Sequence, residues 1–334
     1  HGVGRSVIGR LPAGVAPVGA PLVVGAHIDH IGEGETETSL ARDGGARDIH
    51  PGADDNASGV AVLIEIARGL ARAQAAGELG LRRDILFAAW SGEEIGLLGS
   101  TAFIAAHGSD GTEPVAHAYL NLDMVGRLRD VVTVAGTGSS AVWPALVAAA
   151  NDELDLPIRL VESPYLPTDA TPFYLAGVPV LSLTTGAHAD YHTPADTPAT
   201  LNYAGLVRVS ALAQALAVVA ATSDAALPYA AVRRPASHGA TRRADVWLGT
   251  VPDYAREGEP GVPISGTVAD SPAARAGLRA GDAIVGLAGI EIATIHDFVH
   301  LLNGLRAEEP IVIEVRRDGE RLALPITPTR RRTP

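Results

Sequence analysis

Pro21-Leu22-Val23-Val24-Gly25-Ala26 is a short apolar run that stops at the polar group His27-Ile28-Asp29-His30. Downstream, residues 31–54 are rich in Gly, Asp and Glu and read as a long loop. Apolar side chains then recur at helical spacing through Val60, Leu63, Ile64, Ala67 and Leu70, which predicts a helix over residues 58–76. Residues 84–90 carry few polar groups, as suits a strand buried on both faces. The series continues with a helix over 95–106, strands over 118–122 and 131–135, a helix over 139–151, a strand over 178–183 and a long helix over 203–221. Strands separated by helices of this length define an α/β fold, a mostly parallel sheet sandwiched by helices. In such sheets, binding residues gather beyond the carboxyl ends of the strands.

The chain has 334 residues, enough for two domains and a sizeable core. Its 47% hydrophobic and 19% charged content is that of a folded protein. The longest apolar stretches are broken by Arg, Gly, Asp or Pro, so no membrane span is expected. Cys is absent, which excludes disulfides, thiolate nucleophiles and every sulfur-ligated metal site. Any metal must therefore be held by His, Asp and Glu. The net charge of −12 argues against a nucleic-acid partner. A Gly-x-Ser-x-Gly nucleophile elbow is also absent, leaving a serine-hydrolase reading without support. The α/β pattern fills residues 1–222. Residues 223–243 dissolve into Ala, Ser, Pro and Arg and read as a linker. Residues 244–328 form a small β-rich unit with Gly turns and a helix near 296–305, and residues 329–334 are a tail without pattern.

Five short clusters carry chemistry: His27-Ile28-Asp29, Asp54-Asp55-Asn56-Ala57-Ser58-Gly59, Glu93-Glu94, Asn121-Leu122-Asp123-Met124, and Tyr191-His192-Thr193-Pro194-Ala195-Asp196-Thr197. Placed at one sheet edge, they bring three or four carboxylates and two imidazoles into one cleft. Carboxylates so crowded repel one another and take up protons unless cations neutralise them. A pair of divalent ions does this, and two such ions can share a water and lower its pKa. Asp55, in a short loop just before a helix, is the natural bridge. Glu93 and Glu94 are adjacent, so their roles differ: one binds metal while the other accepts a proton from the water. Asp54 reads as a turn or helix-start residue, and His30 and His50 as lining the entrance or bonding loop backbone. Asp196 reads as support for the turn after His192, bonding amides near Pro194 and Pro198.

In this order and spacing, together with Trp90-Ser91-Gly92-Glu93-Glu94-Ile95-Gly96, these motifs closely resemble those of the M28 family of zinc aminopeptidases over roughly residues 10–222. The resemblance implies a phosphorylase/hydrolase-like fold and two Zn2+ per chain. One ion would be held by His27 and Asp123, the other by Glu94 and His192, with Asp55 bridging. Glu93 would be the general base and Asp29 the carboxylate that orients His27. Tyr191 is similar to a family tyrosine whose hydroxyl helps hold the oxyanion. Relatives carry Ser-Asp-His where this chain has Thr168-Asp169-Ala170, so Ala170 is expected to alter the pocket. Relatives also place a helix and a strand ahead of the segment matching residues 22–27, so an upstream segment is expected here. Export to the periplasm or outside the cell is implied by the resemblance alone.

Residues 244–328 resemble a bacterial PDZ domain, through Trp247-Leu248-Gly249-Thr250 and the run Ser271-Pro272-Ala273-Ala274-Arg275-Ala276-Gly277-Leu278-Arg279-Ala280-Gly281-Asp282. Such domains add an extended or C-terminal peptide as a strand. Backbone amides near Leu248, Gly249 and Thr250 would hold its carboxylate, and Phe298 and Leu302 would floor a side-chain pocket. The same two side chains also suit an ordinary core helix, and permanent docking on the peptidase domain is the alternative to peptide binding.

Three functions follow from these readings. The first is a two-zinc aminopeptidase acting on peptides. The second is a carboxypeptidase or dipeptidase of the same family, which needs a cation such as Arg127 for the substrate carboxylate. The third is a non-catalytic PDZ peptide-binding protein, against which the retention of Glu93 beside all five candidate ligands counts.

Overall fold

The computed structural model describes residues 4–14, 17–33, 39, 41, 47–108, 114–186, 188, 190–223, 227–232, 246–252, 261–268, 271–292, 298, 301–302 and 305–330. The backbone forms two compact units; among the described residues the first comprises those up to 232 apart from His188, and the second comprises His188 and those from 246 onward.

In the first unit, seven strands form one sheet: β1 (Val7–Leu11), β2 (Leu22–His27), β3 (Ile85–Trp90), β4 (Ala118–Leu122), β5 (Val132–Ala135), β6 (Ile158–Val161) and β7 (Val180–Thr184). Their spatial order is β1-β3-β2-β4-β7-β5-β6. Strands β3, β2, β4 and β7 run parallel, while β1 and β5 pair antiparallel with their inner neighbours. The sheet is thus parallel at its centre and mixed at its flanks.

Alternate residues of β2 serve opposite faces. Leu22, Val24 and Ala26 pack with Val62, Ile66 and Leu70 of α1 (Gly59–Ala75) and with Leu212 and Leu216 of α5 (Tyr203–Thr222). Val23 joins the opposite cluster with Phe103 of α2 (Leu98–His107) and Phe173 of α4 (Ala170–Leu175). Helix α3 (Trp143–Asn151) belongs to the first of these faces. Helix α5 is long and apolar enough to cross a membrane, yet Val209, Leu212, Leu216 and Ala220 lie buried in this core. Beneath the carboxyl edge, Trp90 Nε1 donates to the Tyr119 hydroxyl at 2.9 Å, which donates to Asn121 Oδ1 at 2.8 Å. Gly25 lies between those rings, where a Cβ would come within 2.4 Å of Trp90 Nε1 and 2.5 Å of the Tyr119 oxygen.

Several local expectations are corrected. Helix α2 starts at Leu98 rather than 95, because residues 93–97 form a turn that ends on Leu97 in the left-handed region, φ 58°. Helix α3 starts at Trp143 rather than 139. Ser139 instead donates its hydroxyl to the Val180 carbonyl and accepts the Val180 amide, tying the turn to β7. Strands β1 and β6 and helix α4 were not read from the sequence. Of the expected linker over 223–243, residues 227–232 belong to the first unit. The Ala230 amide donates to the Ser139 carbonyl, the Val232 amide to the Tyr174 hydroxyl, and the Tyr165 hydroxyl to the Val232 carbonyl. The remainder of that stretch, apart from Ser223, lies outside the described residues.

The second unit holds β8 (Val246–Trp247), β9 (Thr250–Pro252), β10 (Val262–Thr267), β11 (Ala283–Leu287), β12 (Ile290–Glu291), β13 (Ile311–Arg317), β14 (Glu320–Ile326), β15 (Thr329–Arg330) and α6 (Pro272–Arg275). Its main sheet runs β9-β10-β11-β13-β14, with β12 on β11. Ser271 caps α6 by accepting the Ala274 amide, with Pro272 at the first helical position. Thr329–Arg330 pairs with Val246–Trp247, so ordered backbone runs past the tail boundary expected at 328, and residues 331–334 lie outside the described residues.

Candidate metal centre

Four parallel strands deliver the site. His27 ends β2, Glu93 and Glu94 follow β3, Asp123 follows β4, and the loop after β7 carries Tyr191 and His192. Asp55 arrives from the segment that opens α1. The Asp55–Asn56 peptide bond is cis, and Asn56 fixes this segment against the Asp123 loop. Its Nδ2 donates to the Leu122 carbonyl at 2.9 Å, while its Oδ1 accepts the amides of Gly59 and Met124.

The five candidate ligands meet. His27 Nε2 lies 3.3 Å from Asp55 Oδ1 and 3.4 Å from Asp123 Oδ1. His192 Nε2 lies 3.1 Å from Asp55 Oδ2 and 3.2 Å from Glu94 Oε2. Each oxygen of Asp55 thus faces a different imidazole. A tetrahedral zinc with bonds of about 2.0–2.2 Å holds its ligand atoms about 3.3–3.6 Å apart. The His27 distances fall in this range and the His192 distances just below it, and the two groups share Asp55. The ligating atoms of His27, Asp55 and Asp123 lie within 4.8 Å of one another, and so do those of His30, Asp55, Glu94 and His192.

Burial and charge shape the titration of the cluster. Burial pushes the Asp55 carboxyl up, but hydrogen bonds from His192 and His27 outweigh it and hold the group well below the usual carboxylate range. Burial pulls His192 down, yet Asp55 and Glu94 hold it up at about 10. His27 is likewise raised by Asp123 and Asp55 against its burial. Protons on these imidazoles neutralise the carboxylates, and a divalent cation competes for the same lone pairs. Glu93 behaves differently. Burial raises its carboxyl well above the usual range, with Asp123, Asp169 and Glu94 adding to the rise and His27 opposing it. A carboxylate poised upward in a cleft has the character of a general base.

The surrounding residues correct several expectations. The Asp29 carboxylate does not touch His27. It accepts the Glu93 amide at 3.1 Å and the Glu94 amide at 3.2 Å, and it is the Asp29 carbonyl that lies 3.0 Å from His27 Nδ1. Asp196 does not cap its own turn. Its Oδ2 accepts the amides of Asp54 and Asp55 at 2.9 and 3.1 Å, and its Oδ1 accepts Arg127 Nη2 at 2.9 Å. His30 bonds Glu94 rather than loop backbone. His50 does bond loop groups, Asp48 O and Ser39 Oγ. Asp54 lies in the segment that opens α1 but caps no helix amide; its Oδ1 accepts the Gly126 amide and the Ser58 hydroxyl. Tyr191 stacks on His192 with centroids 3.9 Å apart. Ala170 is buried among Trp90, Phe103 and Phe173, so this position faces a hydrophobic cluster.

Sequence reasoning missed Asp169 as a neighbour of the site. It is buried, accepts the Ser100 hydroxyl at 2.5 Å, and burial raises it to about 7. Its place in the motif Thr168-Asp169-Ala170 was the available signal. In the second unit, Leu248 and Phe298 belong to the hydrophobic core, Leu302 packs against it, and Gly249 is buried with φ 75° beside Thr250 at the start of β9.

A sheet parallel at its centre and covered by helices, with a His/Asp/Glu cluster at its carboxyl edge, is the architecture of a metallopeptidase-like α/β fold. The profile of peptidase family M28 matches residues 6–217, and that of the PDZ domain matches residues 248–327. The chain belongs to peptidase family M28 and carries a C-terminal PDZ domain. It is 29% identical over 191 residues to a probable leucine aminopeptidase of Arthroderma otae, covering 57% of this chain and 43% of the relative. It is 32% identical over 165 residues to leucine aminopeptidase 1 of Trichophyton rubrum, covering 49% and 39%. The chain therefore spans about two fifths of the length of these relatives. Among solved structures, a zinc aminopeptidase from Bacillus subtilis superposes with a TM-score of 0.54 at 25% identity, covering 67% of this chain and 52% of that one.

Proposed function

We propose that the chain is an aminopeptidase that uses two zinc ions to remove N-terminal residues from peptides. The observation that carries this reading is the division of Asp55, whose two oxygens face His27 and His192 separately. His27, Asp55 and Asp123 would hold one ion, and His192, Asp55 and Glu94 the other. When bound, the pair lowers the pKa of a shared water and neutralises charge developing on the scissile carbonyl oxygen. Glu93 then accepts a proton on its carboxylate and returns it to the leaving amine. Asp29 keeps Glu93 and Glu94 in place through their amides. Tyr191 supplies a hydroxyl for the oxyanion from a ring braced on His192.

The relatives named as leucine aminopeptidases support removal from the amino end. So does Arg127, one cation the carboxypeptidase alternative could use. Its guanidinium is engaged by Asp190, Asp196 and Thr200, leaving it committed to the scaffold. For the PDZ domain we place an extended peptide beside Thr250–Pro252, an outer strand of its sheet among the described residues. Resemblance to the family remains the support for export.

A peptide panel with free or blocked amino and carboxyl ends, assayed with and without a chelator, tests the proposal. Cleavage should require a free amino end, tolerate a blocked carboxyl end and stop when metal is removed. Cleavage that requires a free carboxyl end, or that survives chelation, would overturn it.

A further inference from the structure

The group His27-Ile28-Asp29-His30 does more than supply one ligand. Asp29 holds the Glu94 main chain, and the next residue, His30, holds the Glu94 side chain: His30 Nδ1 lies 2.9 Å from Glu94 Oε1. The two oxygens of Glu94 are therefore divided. Oε2 faces His192 Nε2 at 3.2 Å, within the 3.1–3.4 Å range of the ligand pairs, whereas Oε1 sits at hydrogen-bond distance from His30. His30 Nδ1 is farther from Asp55 Oδ2, at 3.7 Å.

The ring has a built seat. Its side chain is 9% exposed, and it meets the His192 ring edge-on at 5.4 Å and 78°. It also lies over Gly52, where a Cβ would approach His30 Cγ to 2.6 Å and Cδ2 to 2.7 Å. Gly52 has φ 61°, so its backbone as well as this close approach favours glycine. Nε2 is buried without a hydrogen-bond partner, which leaves the Nδ1 edge as the ring's polar contact.

We propose that His30 is a positioning residue for the metal centre: its Nδ1–H confines Glu94 to one-oxygen coordination and so tightens the ion on the His192 side. This rests on the two-zinc reading. A carboxylate released from such a partner can swing and offer both oxygens, and loss of an outer partner costs about 10–100-fold in metal affinity.

The test uses the full chain stripped of metal and titrated with Zn2+ against a competing chelator. Wild type should show two binding steps. His30→Ala should weaken one step by about 10–100-fold and leave the other nearly unchanged. His30→Asn, whose amide places a donor near the Nδ1 position, should recover most of that loss. In Co2+-loaded protein, His30→Ala should lower the visible d–d absorption as Glu94 adds its second oxygen. If His30→Ala does not fold, His30→Phe keeps the packing on Gly52, removes the donor and should behave as weakened. Two unchanged steps in the Ala or Phe variant would overturn the proposal. So would an Asn variant as weak as Ala, since that would make the ring itself a ligand. A wild type that takes up fewer than two zinc ions would instead sink the two-zinc reading beneath it.

Discussion

Replacing Asp196 with Asn perturbs the site without altering the side chain of any candidate ligand. The carboxylate is fully buried, accepts the amides of Asp54 and Asp55 on one oxygen, and accepts Arg127 on the other. An Asn that keeps its oxygen on the two amides must point its NH2 at the guanidinium, donor against donor. Removing one partner of a buried ion pair costs about 3–5 kcal/mol. Arg127 retains Asp190 and Thr200, so the lower end, about 3 kcal/mol, applies here. For a unit of this size each kcal/mol moves the transition by roughly 2–4 °C, which gives a drop of roughly 6–12 °C. Scanning calorimetry of the metal-stripped full chain should place that drop in the transition of the larger unit. A shift under about 2 °C on that scale, or one confined to the PDZ domain, would refute the claim that Asp196 holds the Asp54-Asp55 turn.

Glu93→Gln should reduce hydrolysis by about 10²–10⁴-fold, with zinc content still near two per chain by elemental analysis. His192, raised to about 10 in the folded protein, gives the metal-free chain stability that is fully present below about pH 6.5 and lost as pH rises through about 10. Thermal midpoints of metal-free protein should therefore fall from neutral pH towards that value, and calorimetry in buffers of different ionisation enthalpy should register proton release as zinc binds. In the PDZ domain, the buried Asp282 accepts Arg317 Nε and Nη2, each at 2.7 Å, and the Arg279 amide at 2.8 Å. Asp282→Ala should destabilise that unit by about 2 kcal/mol through lost charged hydrogen bonds, measured as a shift of its transition alone. Burial raises the Asp282 carboxyl but Arg317 outweighs it and lowers it, so this stabilisation is present above the ordinary Asp range and lost on acidification through the lowered value.

The candidate ligands were legible because four of them end or follow parallel strands, which apolar runs mark in the sequence, and Asp55 lies just before a helix. What surrounds the ligands was harder to read. Asp196 bonds amides about 140 residues away, and His30 finds its partner 64 positions downstream; neither neighbourhood leaves a local pattern. Strand β1 escaped because Val7 to Arg10 are all exposed, giving no alternation to detect. Helix α4 has six residues, too few for a 3.6-residue period to declare itself. Residues 227–232 looked like linker by composition; their bonds to Ser139, Tyr165 and Tyr174 and the packing of Leu227 and Val232 assign them to the first unit.

The convergence of four strand ends and the start of α1 on one cluster has a consequence for the life of the chain. A cation bound there is a removable cross-link between segments reaching from His27 to His192, and its binding energy is also folding energy. Where zinc is scarce, the same centre becomes a crowd of carboxylates held by imidazole protons. Metal supply would then set how long the chain survives proteolysis as well as how fast it works. Digestion of the intact protein by a nonspecific protease, with and without added zinc, would read that lifetime directly.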